Sequence, residues 1–320
     1  MKSLRHTAAA LAAAASILTP RASPACSSCG CILSSDWASQ GYVAGAGFHL
    51  DLRLDAFDQD VLRAGTGAVD RRRIARPAGR EIQQTTINRN LALNLDYSSN
   101  AVWGASLQVP FFDRRHTTVA AGDTAVSASH TRSVGDVRVI ARYQGFSPDR
   151  TTGVQFGLKL ATGAFDADFT DGPEAGTPLD RGLQPGTGTT DLLLGAYHFG
   201  ALGRYWNYFA QALVQQPLNS RRDFKPGTGL NANFGVRYTA SRSVVPQIQL
   251  NLRAEERESG AEADVENSGA TLVYLGPGIT ARVAPGLSAY AFVQVPVYEN
   301  VNGYQLEPRF AASVGLSSSF

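Results

Sequence analysis

The sequence predicts an all-β fold, a single antiparallel transmembrane β-barrel of about 12 strands. Three observations carry that expectation. Wherever the sequence is regular, apolar and polar residues alternate with period two. The stretches between alternating segments come in two lengths, a short one and a long one, in turn along the chain. No apolar run reaches the ~18 residues a membrane helix needs, and the mean hydropathy is −0.14, so a chain of this kind crosses a membrane with strands or not at all. Hydrophobic residues at 43% against charged residues at 18% exclude a disordered chain.

The first segment, 1–25, reads as a secretory signal peptide. Lys2, Arg5 and His6 form its basic start, the stretch from Thr7 to Leu18 is apolar but too short to span, and Ser23 and Ala25 place small residues ahead of a cut before Cys26. Its removal takes away Lys2, Arg5 and Arg21 and no acid, so the net charge falls from +2 to −1. A near-neutral exported chain lacks the basic footprint that nucleic acid requires. All three cysteines, Cys26, Cys29 and Cys31, lie in the next segment, 26–41, expected on the periplasmic side. With none in the body, a disulfide framework is excluded there, and backbone pairing must hold 42–320 together.

Strands are expected near 42–55, 82–97, 101–112, 132–145, 151–163, 188–200, 203–216, 228–240, 243–256, 268–282, 286–297 and 305–320. The clearest sets Ile248, Leu250, Leu252 and Ala254 on one face and Gln247, Gln249, Asn251, Arg253 and Glu255 on the other. The same split places Leu50, Leu52 and Leu54 against Asp51, Arg53 and Asp55, and Leu230, Ala232, Phe234 and Val236 against Asn231, Asn233 and Arg237. Short turns follow at Ser98 to Asn100, Ser147 to Arg150, Ala201-Leu202, Ser241-Arg242 and Ala284-Pro285. Long connections are expected at 56–81, 113–131, 164–187, 217–227, 257–267 and 298–304. Barrels of the bacterial outer membrane sort their connections in this way, and soluble sandwiches do not.

The last strand alternates through Leu306, Pro308, Phe310, Ala312, Val314 and Leu316 to Phe320. It resembles the terminal signature of proteins inserted by the outer-membrane barrel assembly machinery, which that resemblance implies as a partner. Aromatics near the predicted strand ends, among them Tyr97, Trp103, Tyr143, Phe146, Trp206 and Tyr298, fit girdles at the two lipid–water interfaces.

If the apolar faces meet outer-membrane lipid, the opposite faces line a lumen of both charge signs. Its candidate lining residues are Arg53, Asp55, Arg138, Arg142, Lys159, Arg237, Arg253 and Arg282, with Glu307 and Arg309 on the same reading of the last strand. Such an interior suits passage or binding of a small-molecule solute, an arginine holding a carboxylate in a fork; equally, acids and bases can pair across the lumen to hold a narrow barrel together. Arg71, Arg72, Arg73, Arg76 and Arg80 on the first long connection could meet lipopolysaccharide phosphates or simply be solvated. Asp166, Asp168, Asp171 and Glu174 lack the spacing of a calcium loop. No resident cofactor is expected. Cys26, Cys29 and Cys31 could bind a soft metal ion, form a disulfide with one thiol left over, or carry a lipid on Cys26, a reading that Ser23 and Pro24 weaken. His49, His116, His130 and His198 have no metal-spaced or nucleophile partner in sequence, so the chain does not read as an enzyme.

From Cys29-Gly30-Cys31 and Ser35-Asp36-Trp37 through the barrel pattern to Phe320, the chain resembles the outer-membrane transporter families grouped with meta-pathway phenol-degradation proteins. That resemblance implies passage of small, often aromatic or hydrophobic compounds and carries over no functional residue. Beside a porin-like transport barrel, two other readings stay open: a barrel whose periplasmic cysteines handle metal or redox equivalents, and an outer-membrane enzyme.

Overall fold

The computed structural model describes residues 46–241 and 243–320. The expected signal peptide and the Cys26, Cys29 and Cys31 segment lie outside the described residues. Thirteen strands follow in chain order: β1 Gly47–Gly65, β2 Gly67–Ala68, β3 Ile82–Ser98, β4 Trp103–Val119, β5 Ser127–Val134, β6 Arg138–Tyr143, β7 Thr152–Lys159, β8 Asp191–Ala201, β9 Trp206–Pro217, β10 Gly229–Tyr238, β11 Val244–Glu255, β12 Ala270–Ala284 and β13 Leu287–Ser319. Around the ring each strand pairs antiparallel with the next, and β13 returns to β1, so the ring closes on itself.

The ring contains eleven of these strands, not the expected twelve or so, with β2 beside β1 and β5 beside β4 outside it. The difference lies at the end of the chain. Two expected strands run together as the 33-residue β13, which pairs with β12 from Leu287 to Val301 and with β1 from Val301 to Ser319. The Ser319 amide donates to the Gly286 carbonyl at 2.8 Å, so β13 folds back on itself, with Gly303 at φ 56° in the bend. The expected strand 132–145 is instead β5 and β6, both laid along β4 and separated at 135–137.

The pairing sorts the residues by face. Across one level of the wall, Phe234, Leu250, Leu275 and Val295 are register partners and all point outward, exposed. Leu52, Leu93 and Leu316 do the same across the seam. A belt of this extent would be an aggregation liability in water and is what lipid requires. Between these residues Asp51, Asn94, Gln249, Asn251 and Gln294 are buried on the inward face. At the short-turn end aromatic rings cluster in contact, Phe48 with Tyr97 and Trp103 with Tyr143 at 4.8 Å, and Trp206 with Tyr238 at 5.0 Å. Phe320 stacks on Phe48 at 6.1 Å where the ring closes.

Inward aromatics lie flat on the wall because the neighbouring strand offers a glycine. Tyr197 covers Gly153, Phe209 covers Gly235, and Phe292 covers Gly278; at each of these glycines a β-carbon would come within 2.4 Å of the ring. The rings therefore pack along the wall rather than across the interior.

A crossing takes ~9–11 residues, yet β1, β3 and β4 have 19, 17 and 17. Their ends opposite the short turns rise past the lipid belt as one tall wall. This height overturns part of the expected lipid face. Leu306 and Pro308 are buried, Leu306 against Leu62 and Ile82. Val69, Ile74 and Ala78 of the first long connection pack against the same cluster, so the residues just before Phe310 meet protein rather than lipid, in a stretch where the register shifts between Phe57 and Gln59 and between Gln59 and Val61. Arg309, expected in the lumen, is exposed and pairs with Asp60 at 3.2 Å.

Candidate functional site in the barrel interior

The connection 160–190 folds inward, and the reason is chemical. Asp136 sits in the gap between β5 and β6, Lys159 ends β7 and Asp191 begins β8. Lys159 Nζ lies 3.1 Å from Asp136 and 2.9 Å from Asp191, with side chains 4%, 7% and 0% exposed respectively. Asp136 then gathers the connection: the Gly163 amide donates to it at 3.0 Å, the Thr187 amide at 3.0 Å and the Thr187 hydroxyl at 3.1 Å. The Thr189 hydroxyl donates to Asp191 at 2.8 Å. Two acids share one buried lysine, and their remaining lone pairs are met by the connection itself.

Farther toward the long-connection end, the connection leans on the tall wall. Arg114 of β4 donates from Nη1 to the Leu183 carbonyl at 2.9 Å and from Nε to Asn88 at 2.9 Å, and Asn88 donates to Gln59 at 3.0 Å. Phe169, Leu179 and Leu183 give the connection a small apolar core of its own, and the Ala128 amide donates to the Asp171 carbonyl at 2.9 Å along the edge of β5. The result is a folded body seated in the long-connection end of the barrel.

The candidate lining residues are distributed as follows. Arg53 donates to Asp55 at 2.9 Å, and Asp55 accepts from Ser313 at 2.6 Å, acid and base both buried. Arg142 of β6 reaches across β4 to Asp96 and Ser98 of β3. Gly104 makes that reach possible, since a β-carbon there would stand 2.4 Å from the guanidinium. Gly104→Val is therefore expected to displace Arg142 and lower stability by about 1–3 kcal/mol, read as a lower urea midpoint in micelles; an unchanged midpoint would refute this account of the pair. Arg138 donates to Gln215 at 3.0 Å, and Gln215 donates to Asp191 at 2.6 Å, which joins it to the lysine cluster. Arg253 pairs with Glu255 at 2.7 Å, Arg237 is buried on β10, and Arg282 is exposed at the short-turn end of β12. Glu307 is buried and accepts from the Tyr274 hydroxyl at 3.2 Å. Sequence reasoning missed Asp191, Thr187 and Thr189. The run Thr187-Gly188-Thr189-Thr190-Asp191 was visible, but only folding brings it to Lys159.

Arg71, one of the arginines that could meet lipopolysaccharide or be solvated, is engaged within the protein, donating to the carbonyls of Gln83 at 2.9 Å and Asp60 at 2.7 Å. Arg80 lies over the Tyr304 ring at 4.8 Å. Beside them a cavity of about 380 Å³ opens between Glu81, Gln83, Asp264, Glu266 and Tyr304.

Acidic groups from separate connections crowd this end. Burial, reinforced by Asp180, pushes the Glu81 carboxyl well above the usual carboxylate range. Burial and then the neighbouring Glu255 and Asp264 push Glu258 up to about 8. A carboxyl whose pKa rises on folding is neutral in the folded state near pH 7, so its contribution is fully present below pH ~4.5 and is lost as the pH climbs through about 8. The connection 256–269 is expected to be protected from protease at pH 5.5 and cut faster at pH 9, with Glu258→Gln flattening the difference. Equal cleavage of the wild type at both pH values would contradict it.

No family model matches the chain, and no curated relative matches its sequence. Among solved structures, an outer-membrane channel of the COG4313 group from Pseudomonas putida F1 superposes with a TM-score of 0.65 at 14% identity, over 90% of this chain and 99% of that one. The NanC porin, at 0.47 and 11% identity over 85% and 100%, and the β domain of the Bordetella autotransporter BrkA, at 0.48 and 16% over 86% and 100%, are more distant. At these identities the likeness is one of fold. The chain has the fold of an outer-membrane β-barrel channel.

Proposed function

We propose that the protein is a porin-like channel of the Gram-negative outer membrane that passes small solutes. The observation that carries this reading is the closed ring itself, apolar where it meets lipid and lined inside by buried residues of both charge signs. We read each arm of β13 as one crossing, which makes twelve and leaves the start of β1 and the end of β13 together on the periplasmic side with the short turns. The long connections then face outward, and the 160–190 body sets the width of the path. The resemblance to transporters grouped with meta-pathway phenol-degradation proteins supports aromatic or hydrophobic compounds as cargo. Outer-membrane lipid, lipopolysaccharide and the barrel assembly machinery are the partners this placement implies. Metal or redox handling by Cys26, Cys29 and Cys31 is the alternative, and metal content measured against a triple-serine variant tests it.

Purified protein reconstituted in planar bilayers should give discrete conductance steps, and loaded liposomes should admit phenol and benzoate. Folded, heat-modifiable protein that inserts without conducting and without admitting either solute would overturn the channel reading.

A further inference from the structure

We propose that Arg181, Arg221 and Arg222 form an oxyanion-binding site around Phe165 at the long-connection end of the barrel, accepting the carboxylate or phosphate group of a small solute or a lipid headgroup. The three guanidinium carbons stand 5.4, 5.5 and 5.0 Å from the centre of the same Phe165 ring. The arginines come from two segments: Arg181 from the inward connection and the other two from the connection 218–228 between β9 and β10. Three like charges gathered on one ring repel one another: burial first, then Arg222 and Arg221, weaken the hold of Arg181 on its proton, against a partial opposing pull from Glu262 and Glu258. Among the described residues, no carboxylate closes an ion pair with any of the three.

The roles of the three differ. Arg181 is a staple: it donates to the Phe165 carbonyl at 3.0 Å and to the Arg221 carbonyl at 2.9 Å, and it is held between the rings of Phe165 and Phe224. Its Nε is buried without a partner. Among the described residues the side chains of Arg221 and Arg222 make no such bonds, and both are exposed, so the described fold does not use their charge.

The backbone is nevertheless arranged to present them. Arg221 and Phe224 exchange both backbone hydrogen bonds, at 2.8 and 3.1 Å, around Arg222 and Asp223 at φ 49° and 53°. That is the two-residue turn that normally takes Asn-Gly, occupied here by two residues with side chains at a cost in strain. Gly188, at φ 72°, clears the space behind it, since a β-carbon there would meet Arg221 Cγ at 3.0 Å and Phe165 at 3.2 Å. Planar, permanently charged forks on an aromatic base suit a carboxylate or phosphate, which would also relieve the mutual repulsion.

The test scores binding in detergent without transport, so it can fail while the channel reading stands, and the reverse. Wild type and the double variant Arg221→Gln/Arg222→Gln are titrated calorimetrically with benzoate, inorganic phosphate and neutral benzamide, and with vesicles containing or lacking lipopolysaccharide. Heat modifiability confirms that each protein is folded, and Arg221→Lys/Arg222→Lys keeps the charge if the glutamine variant does not fold. Binding of benzoate or phosphate, absent with benzamide, weakened about tenfold or more in the glutamine variant and falling with added salt, supports a soluble oxyanion as the occupant. Variant-sensitive binding only to the lipopolysaccharide vesicles supports a headgroup phosphate. Equal affinity of wild type and glutamine variant for every probe, or no binding of any, overturns the site; so does a lysine variant that folds but binds as tightly as wild type when the glutamine variant is unfolded, because planar forks would then confer nothing.

Discussion

Replacing Lys159 with methionine is expected to destabilise the barrel and widen the path through it. The lysine is 4% exposed and lies 3.1 and 2.9 Å from two carboxylates that are themselves buried. Removing the cation alone leaves Asp136 and Asp191 facing each other out of water, a situation that costs about 3–5 kcal/mol when a buried pair is broken from one side. The strain can be relieved by letting water in, and the groups that must give way are those Asp136 holds, the amides of Gly163 and Thr187. Both belong to the inward body, so its release should appear as larger conductance steps alongside a lower unfolding midpoint. The triple variant Asp136→Asn/Lys159→Met/Asp191→Asn removes every charge together and should recover most of the stability, because paired burial of ions gains little over neutral packing. A single variant that unfolds earlier yet conducts like the wild type would show that the connection does not set the width.

Leu250→Arg should cost about 2–4 kcal/mol in a bilayer, the range for arginine at the midplane of a barrel's lipid face. Leu250 is at the middle of β11 and is 44% exposed, in register with Phe234 and Leu275. Val265, on the connection between β11 and β12, is 47% exposed. By exposure alone the two positions are equivalent. Their surroundings differ, since one side chain meets hydrocarbon and the other water, so Val265→Arg should stay within about 0.5 kcal/mol. Urea unfolding of both variants in lipid vesicles gives the comparison. Equal costs would mean that the outward face of β11 does not meet lipid.

What the sequence determined by itself is the identity of the wall and of its two faces. Gln247 to Glu255 could be assigned inside and outside residue by residue, because a strand between lipid and lumen has one environment per face and its side chains alternate with period two. The alternation of short and long connections separated the two ends of the ring for the same local reason, as turn chemistry at Asn100 shows, where the side-chain oxygen accepts from the amides of Val102 and Trp103 at 2.7 and 2.9 Å. The tertiary structure decided whatever depends on register or on contact across the ring. A period-two count cannot see what a distant connection covers, so Leu306 and Pro308 passed for lipid-facing although both are buried, Leu306 among Leu62, Ile82, Val69, Ile74 and Ala78. It also cannot see that β13 is one element serving two neighbours. Arg142 finds Asp96 across 46 residues, and Lys159 finds Asp191 across a long connection whose own polarity reads as solvated. Arg181, Arg221 and Arg222 meet on Phe165 only because that connection folds in rather than out. Pairing of buried charge is a property of the closed ring, where desolvation makes each unmatched ion costly, and the local pattern of a strand carries no record of which partner will stand opposite.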